Sequence, residues 1–352
     1  MIQTYSTTIR RKEMDAVLTC MVDEKIGPGE LNLRLISQVK DFIKCDGAVA
    51  LRSPAIALKY ALVALDVEKS SKIMISALAP AWQYQSICDL GFEPLVLDVN
   101  EENGLVDVQT IQNAILNGGK ILLLHETEGI VPNMQEIIQL GIPVIEDISQ
   151  SAGAFVSEVD ENGVVSENQK KAGTFGVYTI LGLEERDVIT GGGGAILLAP
   201  SRREWIVLKK FVDEAPLTDL LPDINSALAW VQVKEFSKNE ATRKELFNLF
   251  QRACMVGHHK MYVREMDNGS TMSCFPLILS SPFKDVKQYA AKKDIELSLA
   301  YENSVIALKQ DELSETCIHA KSLYLRCVHV PLYPRLTHAE SAKIVKVLSS
   351  LP

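Results

Sequence analysis

Two polar residues, Asp147 and Gln150, are the best placed for chemistry in this chain. Asp147 ends a short apolar run at 143–147 that is typical of a buried strand, and Gln150 follows closely. In a parallel sheet, ligands bind at the carboxyl ends of the strands. A carboxylate there stabilises a positively charged ligand group, or else it caps a helix or joins a salt bridge. The residues alone leave both interpretations open.

Two other patterns could do chemistry. The four consecutive glycines at 191–194 would let the backbone approach a ligand closely, or they make a tight turn into an apolar strand at 195–198, which we favour. His258 and His259 are adjacent, so their side chains point in different directions and do not form a metal site by themselves. The chain lacks the phosphate-binding P-loop, dinucleotide-binding, zinc-protease and serine-hydrolase motifs.

Composition indicates an ordinary globular protein. The 352 residues are 47% hydrophobic and 23% charged, which is enough to bury a large core. The net charge of -9, without any Lys/Arg-rich run, argues against nucleic acid as a partner. No apolar stretch approaches the length of a membrane span, and no leader is recognisable, so we expect a cytoplasmic protein. Seven cysteines without a C-x-x-C pair predict free, buried thiols.

The elements that would position a site alternate between strands and helices, which is typical of a mainly parallel sheet covered by helices. We predict an α/β fold with a large domain at 1–225 and a smaller α/β domain at 226–352. The turn signal at 160–163 predicts a surface hairpin or an ordinary loop. Predicted strands lie at 48–51, 72–78, 94–98, 120–125, 143–147, 177–181, 195–198, 273–279 and 328–330. Predicted helices lie at 31–43, 55–65, 82–90, 107–116, 134–140, 224–252 and 339–348.

Several segments, in order, resemble the DegT/StrS family of pyridoxal-phosphate-dependent sugar aminotransferases, whose fold is that of aspartate aminotransferase. The segments are KIGPG (25–29), AVALRSPAIAL (48–58), PVIEDISQSAGA (143–154), GTFG (173–176), TGGGGA (190–195), DINSALAWVQ (223–232) and PLYPRLT (331–337). The resemblance implies the fold type I aminotransferase fold, a homodimer with the site at its interface, and a nucleotide-linked sugar as ligand.

The resemblance also implies a lysine that holds the cofactor as a Schiff base, and this chain lacks it. Counting from Thr179 places the lysine position at Glu184, and counting back from Gly191 places it at Arg186. No lysine occurs between Lys171 and Lys209, so a small shift in register does not restore one. Neither a carboxylate nor a protonated guanidinium forms the imine.

The family's other cofactor contacts are partly lost. The phosphate-binding glycine and threonine read as Pro54 and Ala55, although Pro54 is also a good helix-starting residue. The ring-stacking aromatic reads as Pro80, with Trp82 two positions further on as a packing residue or a ring contact. Thr218 and Leu220 stand where the partner subunit's contacts are expected.

What the resemblance leaves as cofactor contacts is Asp147 for the pyridinium nitrogen, together with Gln150, Ser53 and Thr179. The leading hypothesis is a degenerate family member that does not transaminate and binds a nucleotide sugar or a partner in sugar or polysaccharide biosynthesis. A second is a lysine-independent enzyme with noncovalent pyridoxamine or pyridoxal phosphate, as in sugar dehydratases of the family. A third is an active aminotransferase that uses a lysine from elsewhere in space, such as Lys170 or Lys171.

Overall fold

The computed structural model describes residues 1–159, 165–264 and 269–352. The predicted turn at 160–163 lies outside the described residues. Thirteen α-helices and twelve strands occupy the described part of the chain, and they form a seven-stranded sheet, a three-stranded sheet and a two-stranded ribbon. In that part, no helix combines the length and the apolar character that crossing a membrane requires.

The seven-stranded sheet confirms the mainly parallel sheet predicted from the apolar runs. Its strands are β1 (Gly47–Leu51), β2 (Lys72–Ser76), β3 (Glu93–Leu97), β4 (Gly119–His125), β5 (Val144–Asp147), β8 (Tyr178–Gly182) and β9 (Ala195–Ala199). Their order is β1-β9-β8-β5-β4-β2-β3. Pairs from β3 across to β8 are parallel, whereas β9 runs antiparallel to both β8 and β1.

Helices cover both faces of this sheet, so its strands are buried on both sides and read as continuous apolar runs. Alternate residues face opposite layers, with Leu122 and Leu124 in one core cluster and Ile121 and Leu123 in the other. The helices before residue 223 are α1 (Arg11–Val22), which does not pack on the sheet, and α2 (Glu30–Ile43), α3 (Pro54–Ala64), α4 (Ala81–Asp89), α5 (Val108–Leu116), α6 (Met134–Gln139) and α7 (Arg202–Val212).

The remaining elements follow α8 (Asp223–Cys254), a helix of 32 residues. They are β10 (Phe275–Ile278), α9 (Phe283–Ala291), β11 (Ser298–Leu299), α10 (Val305–Leu308), α11 (Gln310–Leu313), α12 (Ile318–Arg326), β12 (Cys327–Val330) and α13 (His338–Leu348). The three strands form an antiparallel sheet in the order β10-β12-β11. Phe247 and Phe250 of α8 pack with Phe275 in a third apolar cluster.

The helices that were not predicted from the sequence include α1 and α7. The strands β6 (Phe155–Val159) and β7 (Val165–Lys171) pair antiparallel on either side of the predicted turn, which agrees with the hairpin rather than the loop. The exposed Met14, Leu18 and Met21 of α1 blur its amphipathic pattern. The division at 225/226 stays a prediction. All seven cysteines are free, five of them buried, while Cys274 is partly and Cys88 fully exposed.

Candidate functional site

The centre of the site is formed where two neighbouring parallel strands end. His125 is the last residue of β4 and Asp147 the last of β5, and the strand register places these two residues opposite each other. Gln83, in the first turn of α4, reaches the same point. All three side chains are buried. The carboxyl edge of the sheet therefore gathers polar groups, as the sequence predicted for Asp147.

The carboxylate of Asp147 is fully occupied by the protein itself. Its Oδ2 accepts from Gln83 Nε2 at 2.7 Å and lies 3.0 Å from His125 Nδ1, while its Oδ1 accepts from Ser149 N at 3.1 Å and Ser149 Oγ at 2.5 Å. Because an ionised carboxylate only accepts, Nδ1 of His125 carries the hydrogen. Two contacts at each oxygen account for the roughly four acceptor positions of a carboxylate.

These contacts also fix the charge of Asp147. Burial alone would raise the pKa of Asp147, but His125 and the hydrogen bonds from Ser149 outweigh it, and the pKa lies below its ordinary value. Asp147 is therefore a buried anion that accepts from donors within the protein. The described contacts of Asp147 form a hydrogen-bond network with Gln83, His125 and Ser149.

Gln150 does not point to the same place as Asp147. Its Oε1 accepts from the backbone N of Glu128 at 2.6 Å. This bond fixes the turn that follows β4, since Glu128 belongs to the short 3₁₀ helix Thr127–Gly129. The amide oxygen of Gln150 is thus used in shaping a loop.

Glu184 and Arg186, the two readings of the lysine position, lie in the loop between β8 and β9. Both side chains are exposed. Glu184 Oε1 accepts from Gly194 N at 3.3 Å, and the Arg186 guanidinium lies 3.5 Å from the carboxylate of Glu302. These contacts make Glu184 part of the turn and Arg186 part of a surface ion pair.

The glycine run closes that loop as a turn. Leu183 O accepts from the backbone N of both Gly191 and Gly193. Gly194 has φ of +112°, and a side chain there would meet Leu221 Cδ1 at 2.4 Å. The run is needed for tight packing into β9.

Ser53 and Thr179 are engaged internally as well. Ser53 Oγ accepts from Ile56 N at 3.2 Å and so caps α3, with Pro54 as its first residue. Thr179, fully buried in β8, donates from Oγ1 to Gly173 O at 2.9 Å. Both hydroxyls thus serve local structure.

Three residues near this site escaped the sequence analysis, namely Gln83, His125 and Asp187. His125 could have been found, because it ends a predicted strand just as Asp147 does. Asp187 follows the lysine position, and its Oδ2 accepts from Glu184 N at 2.8 Å. Burial, with Asp147 and Glu184 nearby, raises the pKa of Asp187 to about 8.

Taken together, these side chains do not fit a pyridoxal phosphate held in the usual way. The carboxylate that would receive the pyridinium N–H already has donors at every acceptor position. No lysine occurs on β8 or in the loop that follows it.

The architecture defines a class of protein: a mainly parallel seven-stranded sheet with a smaller C-terminal α/β part is the aminotransferase fold. The sequence matches the DegT/DnrJ/EryC1/StrS aminotransferase family over residues 7–211 and 217–349. The chain belongs to this family, which confirms the resemblance of its segments.

Curated relatives are distant. An uncharacterized protein of Methanocaldococcus jannaschii is 24% identical over 197 residues, which span 54% of this chain and 48% of that protein. GDP-perosamine synthase of Vibrio cholerae is 21% identical over 206 residues, which span 57% of this chain and 53% of that enzyme. The chain thus spans about half the length of these relatives.

Solved structures match over nearly the whole chain. The aminotransferase TlmJ from Streptoalloteichus hindustanus has a TM-score of 0.86 at 13% identity, covering 99% of this chain and 98% of that one. GDP-4-keto-6-deoxymannose-3-dehydratase (ColD), as a mutant with bound GDP-perosamine, has a TM-score of 0.83 at 15% identity, covering 99% and 100%. These likenesses establish the aminotransferase fold.

Proposed function

We propose that this chain is a family member that does not transaminate and that binds a nucleotide sugar in sugar or polysaccharide biosynthesis. The observation that carries the proposal is the saturated carboxylate of Asp147, bound by Gln83, His125 and Ser149. A group that needs the same oxygens would have to break a buried hydrogen bond first, and nothing on β8 supplies an imine-forming amine in return.

A polar ligand beside Asp147 is supported by Gln83 itself. Its Nε2 is bound to Asp147, but its Oε1 is buried and has no hydrogen-bond partner among the described residues. A buried acceptor that lacks a donor destabilises the protein by about 1–3 kcal/mol, and a hydroxyl from a sugar would relieve that cost. Two proteins similar to this chain, GDP-perosamine synthase and ColD with bound GDP-perosamine, support the nucleotide-linked class of sugar.

The test is a pair of titrations of the purified protein. In the first, pyridoxal phosphate and pyridoxamine phosphate are added separately, absorbance is followed, and borohydride reduction with peptide mass spectrometry locates any lysine adduct. In the second, GDP-perosamine and GDP are titrated by calorimetry. We expect no specific adduct and saturable binding of GDP-perosamine that exceeds binding of GDP.

Each other outcome has a defined meaning. A single stoichiometric lysine adduct would restore the active aminotransferase, and substitution of Lys170 or Lys171 would then show whether either residue is responsible. Saturable binding of pyridoxamine phosphate without an adduct would favour the lysine-independent enzyme. Absence of nucleotide-sugar binding would contradict the ligand assigned here.

We further propose a cytoplasmic homodimer. Support for the dimer comes from α1, where Met14, Leu18 and Met21 are 56%, 56% and 57% exposed and line an apolar groove with Ile9 and Leu228. Groups of exposed apolar side chains of this kind are typical of interaction surfaces. Support for the compartment comes from seven cysteines without a disulfide.

A further inference from the structure

A second cluster of side chains lies apart from the Asp147 network, where the small sheet meets the loop after β4. Glu128 comes from the 3₁₀ turn, Cys274 directly precedes β10, and His329 lies within β12. Nε2 of His329 is 3.0 Å from both carboxylate oxygens of Glu128, and the Cys274 thiol donates to Oε2 of Glu128. One carboxylate oxygen, one imidazole nitrogen and one sulfur lie within 4.8 Å of one another.

Strand alternation explains why two of these residues share a face. His329 pairs with Pro276 in the antiparallel register, and Cys274 precedes Pro276 by two positions, so both point to the same side of the sheet. Phe275 and Val330 point to the opposite side and fill the core of the small domain. The face that carries sulfur and imidazole is therefore directed at the large domain, where Glu128 lies.

The backbone of Glu128 is held in an unfavourable conformation. Its φ is +57° and its ψ +24°, in the left-handed region that side chains other than glycine rarely adopt, and the residue is only 1% exposed. Such a conformation costs on the order of 1 kcal/mol and persists where surrounding contacts fix it, often at functional sites. Here it is fixed by Gln150, which accepts from Glu128 N, and by Arg264, which donates to Glu128 O.

Burial raises the pKa of Glu128, but the neighbouring His329, Cys274 and Arg264 lower the pKa to about 2, so the side chain is an anion. Among the described residues, its ion pair is with His329, since Arg264 donates to the backbone carbonyl rather than to the carboxylate. The side chain of His329 is 22% exposed and Cys274 is partly exposed, so one side of the cluster is open to solvent. An ion can thus reach the three donors without unfolding the chain.

We propose that Glu128, Cys274 and His329 bind a divalent transition-metal ion of the Zn²⁺ type, which links the small domain to the large one. A thiolate, an imidazole and a carboxylate are the donors that Zn²⁺ takes, and three protein ligands leave a fourth position for water. On binding, Cys274 releases its thiol proton and His329 presents neutral Nε2, so the proton that bridges to Glu128 is replaced by the metal ion.

Cobalt is the probe for this site, because Co²⁺ bound to a thiolate gives a ligand-to-metal charge-transfer absorption. Protein freed of metal by a chelator is titrated with Co²⁺ alone. We expect saturable uptake of one ion per chain with the thiolate absorption, displacement of that absorption by Zn²⁺, and a higher unfolding temperature with Zn²⁺ than with chelator.

Variants separate this site from adventitious binding. Cys274→Ser should abolish the thiolate absorption, and His329→Gln should weaken Co²⁺ binding at least tenfold. Cys88→Ser, which removes an exposed thiol on α4, should change neither. Circular dichroism establishes whether each variant is folded. If Cys274→Ser does not fold, the loss of Co²⁺ affinity in His329→Gln is the test of the site. Absence of uptake by the parent protein, or a thiolate absorption that survives in Cys274→Ser, would overturn the proposal.

Discussion

Gln83 donates a hydrogen bond of 2.7 Å to Asp147, and both side chains are fully buried although 64 positions separate them in sequence. The bond joins the first turn of α4 to the end of β5, across the edge of the sheet where a ligand would otherwise meet the carboxylate. The carboxylate of Asp147 thus holds α4 and β5 together, and its removal should lower the free energy of unfolding.

Asp147→Asn should lower the free energy of unfolding by about 2–4 kcal/mol in the absence of any added cofactor, because an amide cannot accept from all the present donors. Urea denaturation followed by circular dichroism measures this. Asp41→Asn, at an exposed position on α2, is the matched control and should be neutral. An Asp147→Asn protein as stable as the parent would show that the network is not structural.

Ser53→Ala should lower the free energy of unfolding by about 1 kcal/mol, since Ser53 Oγ caps α3 by accepting from Ile56 N. Ser53→Asp keeps a capping oxygen and should retain most of the parent's stability. Thermal denaturation of the three proteins gives the comparison. Equal stability of Ser53→Ala and the parent would argue against the role of Ser53 as a cap.

Asp187 should make stability fall as the pH rises. Its pKa of about 8 in the folded protein lies above the ordinary value of 3.8, so between these values the folded state holds a proton that the unfolded state has lost. The contribution of protonated Asp187 to the free energy of unfolding is fully present near pH 4 and is lost as the pH rises through about 8.

Asp187→Asn should remove this slope and be more stable than the parent at pH 8 by about 1–3 kcal/mol, a range reduced from the full shift because Asp187 is half-buried. Unfolding in urea at pH 5 and pH 8 tests it. Asp89→Asn, exposed on α4, should leave the slope unchanged. A parent protein equally stable at both pH values would contradict the raised pKa.

Leu18→Lys should convert the proposed homodimer to a monomer, because it places a charge in the apolar groove of α1. Light scattering after size-exclusion chromatography gives the mass of each species. Thr19→Lys adds the same charge to the exposed residue next to it and should keep the dimer. If parent and Leu18→Lys elute with the same mass, this face does not hold a dimer.

The sequence was informative where signals are local. Apolar runs located all seven strands of the large sheet, and Pro54 is a helix-starting residue one position before the predicted helix at 55–65. The contacts that define the sites are nonlocal: Glu128 and His329 are 201 positions apart, and Cys274 lies 146 positions from Glu128. Composition and periodicity do not show which loop contacts which strand. The contacts of Gln83 and of the Glu128 cluster were therefore visible only in the folded structure.

The long helix α8 has a mechanical consequence. At the beginning of α8, the carboxylate of Asp223 accepts hydrogen bonds from the backbone N of Gly29, Leu31 and Asn32, at the start of α2. Near its end, Phe247 and Phe250 pack in the apolar cluster beside the sheet β10-β12-β11. A continuous helix of about 48 Å thus connects the start of α2 to the sheet β10-β12-β11. Movement of the sheet β10-β12-β11 relative to α2 would therefore require α8 to bend or the contacts of Asp223 to break.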